Sequence, residues 1–197
     1  AALNLTPDWT MATLECGRVA FTLEKYAEAA TRLRSVGDDG VVAYGVPHLL
    51  ALAVERTQGL VAASPAFHLA AAVAPDVPEV QFDIGRALSA AGDDDLALPH
   101  FVRAGTLRPE WEAPWQETFA IACRLGSAPD ADRAASQLAL LGIESVEQWL
   151  AVANMDADAG AAEAARQAGL RALALARMPM EPLKALRGAE ASVDIVS

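Results

Sequence analysis

The residues of this chain best suited to chemistry are three histidines (His48, His68, His100), two cysteines (Cys16, Cys123) and several arginines three residues from a carboxylate. No histidine has a second ligand at a metal-binding spacing such as HExxH, and the chain has no glycine-rich phosphate loop, nucleophile elbow or close cysteine pair. Each histidine reads as a satisfied or exposed side chain on a helix. The cysteines lie far apart, both within expected helices, and read as buried structural thiols rather than a disulfide or a nucleophile. The run Asp93–Asp95 lacks the alternating spacing and distal glutamate of a calcium loop. It reads as capping of a helix start, where its negative charge complements the helix dipole. No catalytic constellation remains, and neither a cofactor nor a metal is expected.

The arginine pairs do remain. Arg18 stands three residues from Glu15 and Arg86 three from Asp83, so each pair can meet on one helix. Such arginines can grip a partner's backbone or carboxylate. They can equally be structural ion pairs that knit neighbouring helices.

The elements that position them follow from composition. Of 197 residues 53% are hydrophobic but only 6% aromatic, and much of the apolar content is alanine. Alanine is the best helix former and lets helices approach closely; a β-sandwich would need more Val, Ile, Thr and aromatic residues. The formal charge of −11 disfavours nucleic acid and anionic membrane surfaces and suits cationic or neutral partners. No apolar stretch is long enough to span a bilayer; residues 61–73 fall short, and Ser64-Pro65 interrupts them. With no leader visible, the expected compartment is the cytoplasm; a periplasmic location stays open, because a removed leader leaves no trace.

The internal period is the strongest signal. Within residues 78–111, Ile84-Gly85, Leu88, Gly92, Ala97, Phe101, Ala104 and Pro109 fall at the signature phases of a tetratricopeptide (TPR) unit, with Gln81 in place of the usual opening aromatic. On a 34-residue period the remaining units fall at 10–43, 44–77, 112–145 and, more degenerate, 146–179. In the first, Gly17 and Ala20 sit where the first helix (A) of the pair packs on the second (B), with the turn near Leu23-Glu24. In the second, Ala63, Phe67, Ala70 and Pro75 repeat Ala97, Phe101, Ala104 and Pro109. Pro65 precedes Pro99 by one period, and Ser64-Pro65 predicts a late start for that B helix, with Ser64 at N-cap and Pro65 at N1. Trp115, Gly126 and Ala131 recur as Trp149, Gly160 and Ala165, and Ser145 with Gln148 has the form of a capping box. Residues 1–9 read as a lead-in with a helix start at Pro7-Asp8 and Trp9 as an apolar anchor. Residues 180–197 read as a short helix and tail, ending in a β-prone ASVDIVS.

The chain therefore resembles the TPR family. The resemblance implies an all-α, right-handed α-solenoid of antiparallel helix pairs, about four to five of them. It also implies a concave groove lined by the A helices, which receives a peptide or helix of another protein. At the inward phases of that family the chain has Leu14, His48, Phe82 and Gln116, then Arg18, Leu52 and Arg86, then Phe21, Arg56 and Arg124; Glu15, Asp83 and Glu117 follow the first set by one residue. The lysine and asparagine pattern of TPR proteins that clamp chaperone tails is absent. The expected function is a non-catalytic interaction module, an adaptor or scaffold whose partner is a protein segment, acidic or amphipathic. Two alternatives stand beside it: the substrate-recognition part of a larger bacterial modifying enzyme such as a glycosyltransferase, and a self-assembling scaffold, hence a homo-oligomer.

Overall fold

The computed structural model describes residues 7–37 and 45–177. They form ten helices: α1 (Pro7–Thr22), α2 (Tyr26–Gly37), α3 (Gly45–Gln58), α4 (Leu60–Val73), α5 (Pro78–Ala91), α6 (Asp94–Leu107), α7 (Glu112–Leu125), α8 (Ala128–Leu140), α9 (Val146–Asp158) and α10 (Ala162–Ala176). There is no strand among the described residues. The B helices α2, α4, α6, α8 and α10 start at 26, 60, 94, 128 and 162, so the period is kept to the residue. The architecture is an α-solenoid of antiparallel helix pairs, with the fifth, degenerate pair present. The expected short helix and tail at 180–197 and the side chain of Trp9 lie outside the described residues.

The chain divides into two compact units, 1–125 and 126–197, between α7 and α8. In the first, each helix packs on the next, from α1 through α7. Its core joins Leu33, Ala51, Phe67, Ile84, Leu88, Phe101 and Ile121, with small alanines such as Ala29, Ala63 and Ala97 at the closest approaches. Phe67 and Phe101, one period apart, are fully buried; cutting such a ring back to alanine costs roughly 3–5 kcal/mol. In the second unit α9 packs on α8 and α10, and Leu138, Trp149, Val152, Ala168 and Ala172 are buried.

A recurring turn joins A to B. After α5, the Asp93 N–H donates to the Leu88 carbonyl and the Gly92 N–H to that of Ser89, with Gly92 left-handed at φ 90°. This double closure of a helix C-terminus needs one residue at positive φ. It recurs after α9 around Gly160 (φ 76°) and after α1 around Glu24 (φ 59°). Gly126, at φ 71°, holds the same repeat position after α7. In the second repeat the positive φ moves one residue on, to Gly59 (φ 92°). Ser145 and Gln148 form the expected capping box, each side chain accepting from the other's backbone N–H.

Two expectations are corrected. α4 does not start late at Pro65: it starts at Leu60, and Pro65 is its sixth residue, as Pro99 is in α6. Ala63 is fully buried and Leu60 packs on the core, so the first turn must be helical to place them. The proline is tolerated because it is exposed, as is Val61, whose carbonyl it deprives of a donor; water can serve there instead. Cys16 is exposed rather than buried. It lines an open pocket with Val19, Leu23 and Arg32, and Val19 and Leu23 are themselves exposed. Cys123 is half-buried, and burial raises its thiol pKa.

Gly105 and Trp115 show how tight the stack is. A Cβ at Gly105 would lie 2.6 Å from the rigid Trp115 ring, whereas one at Gly17 would meet the more flexible Leu33 side chain at 2.9 Å. Gly105→Ala is expected to destabilise the protein by about 1–3 kcal/mol through overpacking, and by more than Gly17→Ala, in urea unfolding. Glu24 is the one described non-glycine at positive φ. Glu24→Gly is expected to raise stability by about 1 kcal/mol; a lower midpoint would show that its side chain outweighs the strain.

Candidate functional site

The A helices of the first unit carry the residues singled out by sequence. Their side chains divide into three groups.

The first group is open. Leu14 and Arg18 of α1 and His48, Leu49 and Leu52 of α3 line a pocket of about 410 Å³ together with Gly45 and Val46. Four of the expected groove residues thus come together. Leu14, Leu49 and Leu52 rest on the core from below. Among the described residues Arg18 has a single charged partner, Glu15, at 3.3 Å on its own helix, and both side chains are more than half exposed (62% and 56%).

The second group is a closed polar network between α3 and α5. Asp83 accepts from His48 Nε2 at 2.8 Å and from Arg86 at 3.2 Å, and Arg86 turns its other nitrogen to Glu55 at 2.9 Å. Glu55 and Asp83 are only 17% and 13% exposed. Burial opposes the charge on Arg86, but Glu55 and Asp83 outweigh it and hold its pKa above the ordinary value. Arg86 therefore ties two A helices together, the structural role foreseen as one of its two readings. Glu55 was not singled out from the sequence. The signal was there: it lies on the preceding A helix at a distance close to one period from Arg86.

The third group sits at the edges or in the stack. Arg124 reaches back 30 residues to Asp94, the first residue of α6, with bonds of 2.7 and 2.8 Å. Arg56 reaches back the same distance to Tyr26, the first residue of α2, placing its guanidinium 5.7 Å from the ring centre. One repeat position thus staples an A helix to the preceding B helix. Asp94 also accepts from Ser89, and the hydrogen bonds of Arg124 hold its carboxyl below the usual range. The expected capping is corrected here: Asp93 occupies the N-cap without a side-chain capping bond, and Asp94 and Asp95 place their charge in the first turn. Phe21 packs edge-on to Tyr26 at 5.2 Å. Phe82 is half-buried between Phe101 (5.5 Å) and Trp111 (4.7 Å). Gln116 is exposed and donates its amide to Glu112 of its own helix.

On the B side, His68 and His100 lie on α4 and α6 and line a second pocket, of about 670 Å³, with Gln81, Pro99 and Arg103. Gln81 is buried, donates to the Pro75 carbonyl at 2.9 Å and accepts from His100 Nδ1 at 2.8 Å. Burial, His68 and Arg103 all lower the His100 pKa. One period later, Trp115 donates its indole N–H to the Pro109 carbonyl, again six residues back. Gln81 thus replaces the aromatic's hydrogen bond, if not its bulk.

With this geometry in place, the fold can be set beside solved structures. A structure of MamA superposes with a TM-score of 0.65 at 13% identity, covering 95% of this chain and 98% of its own. A second (MamA MSR-1 C2) gives 0.57 at 21%, covering 84% and 95%. YrrB, described as a TPR protein with an unusual peptide-binding site, gives 0.62 at 15%, covering 89% and 90%. No family model matches the sequence, and no curated protein matches it. The fold is therefore of the TPR type, as the sequence phases indicated. No helix among the described residues is long and apolar enough to cross a membrane.

The network and the open arginine separate on mutation. Arg86→Met is expected to cost about 1–3 kcal/mol, because it removes the cation from Glu55 and leaves Asp83 with His48 alone. Arg18→Met is expected to stay within about 0.5 kcal/mol of the parent. Equal losses in denaturant titrations would mean that the network does not tie the helices.

Proposed function

We propose that the A-helix side of the first unit binds a segment of another protein and that the molecule acts as an adaptor or scaffold. The observation that carries this reading is the pocket at Leu14, Arg18, His48, Leu49 and Leu52. It offers an apolar wall, which gains from covering, beside a charged group whose present partner is weak. An exposed ion pair three residues apart on one helix contributes only about 0.2–0.5 kcal/mol, so Arg18 can exchange Glu15 for a ligand group at little cost. Pairing within the fold occupies most of the other charges on these helices, which suits a recognition surface better than a reactive one. The likeness to YrrB, for which a peptide-binding site is described, supports the same direction.

A random peptide library displayed on phage tests the reading. A selected peptide is then titrated into isotopically labelled protein and followed by NMR. Shifts are expected at Leu14, Arg18, His48 and Leu52 and along α5 toward Phe82 and Gln116. Shifts confined to the B helices, or no selected peptide, would overturn the reading.

A further inference from the structure

The charges along the A helices are not evenly satisfied. In the middle, His48, Asp83, Arg86 and Glu55 close on one another. At the α1 end, Arg18 has among the described residues only the 3.3 Å contact with Glu15 of its own helix. At the α7 end the sign is reversed. Glu117 stands one period after Asp83 and is exposed. Asp83 is held by His48; one period after His48 the chain has Phe82, whose ring cannot donate to a carboxylate. The nearby cation Arg124 is already held by both oxygens of Asp94. The surface therefore has an under-used cation at one end, a sealed centre and an under-used carboxylate at the other.

We infer that the bound segment has a matching charge polarity: an apolar residue beside a carboxylate at the α1–α3 pocket, and a basic residue at the α7 end. This rests on the proposed protein-binding role of the same surface. The apolar residue covers Leu14, Leu49 and Leu52, and the adjacent carboxylate meets Arg18 where that covering excludes water, which strengthens the pair. Neighbouring helices stand roughly 8–10 Å apart, so the pocket and α7 are separated by about 20–25 Å. An extended chain advances about 3.3 Å per residue, which puts the acidic and basic positions about six to eight residues apart. The net charge of −11 agrees with this choice, since a purely acidic ligand would be repelled by the field of the whole chain, whereas a segment with both signs is not.

The test uses a random peptide library long enough to cross the groove, selected in parallel on the parent, Arg18→Glu and Glu117→Lys. Both residues are exposed, and circular dichroism should show the helical content unchanged. Parent-selected sequences should carry an Asp or Glu next to an aliphatic or aromatic residue, and a Lys or Arg about six to eight positions away. On Arg18→Glu the acidic position should turn basic while the apolar one persists, and on Glu117→Lys the basic position should turn acidic. A parent-selected peptide should bind Arg18→Glu about tenfold more weakly. If all three proteins select the same sequences, and these bind the A helices by NMR, the charge polarity is wrong while the binding role stands. If no sequence is selected, or those selected avoid the A helices, both fall.

Discussion

Everything on the A-helix surface depends on how each pair closes its turn. Where α1, α5 and α9 end, two backbone hydrogen bonds and one left-handed residue reverse the chain within a few residues. The orphan carbonyls of the helix end are thereby satisfied, and the first residue of the B helix is set in a fixed register. That register delivers Phe101 to the core and brings Tyr26 and Asp94 within reach of Arg56 and Arg124. The turn is local, and the B helices start at one constant interval along the chain.

A second layer is chemical rather than geometric. The position of Gln81 and Trp115 supplies a donor to a carbonyl six residues upstream, which at Pro75 also accepts from Arg103. An amide and an indole both do this. They differ in volume, and the facing residue on the preceding B helix adjusts: Ala71 where the donor is Gln81, Gly105 where it is Trp115. The same economy governs the charges. Asp83 and Glu55 share Arg86, and Asp94 serves both Ser89 and Arg124.

These layers explain what was legible in the sequence. The period, the helix pairs, the capping box at Ser145 and the close approach at Gly17 could be read because they depend on residue type at fixed spacing. The start of α4 was misread because proline chemistry is local, whereas the fit of Leu60 and Ala63 to the core is not. Cys16 was misread for a related reason: an apolar residue on a helix says nothing about which side its neighbours cover. At the candidate site, sequence grouped Leu14, Arg18, His48 and Leu52, which do share a pocket. It could not rank Arg18 against Arg86, because both have a carboxylate three residues away. What separates them is Glu55, a contact between helices, and the burial that comes with it.

Three of the four tryptophans, all but Trp9, report on different parts of the molecule. Trp115 is buried with its N–H bonded to a carbonyl, inside the first unit. Trp149, one period later, belongs to the second, under the guanidinium of Arg171 at 4.8 Å and bonded to Glu144. Trp111 is half-buried against Phe82 and Arg108. Indole emission depends on local polarity and on nearby charge, so the three rings constitute separate intrinsic probes. One registers the tightest interior of the first unit, one the second unit, and one the neighbourhood of Phe82.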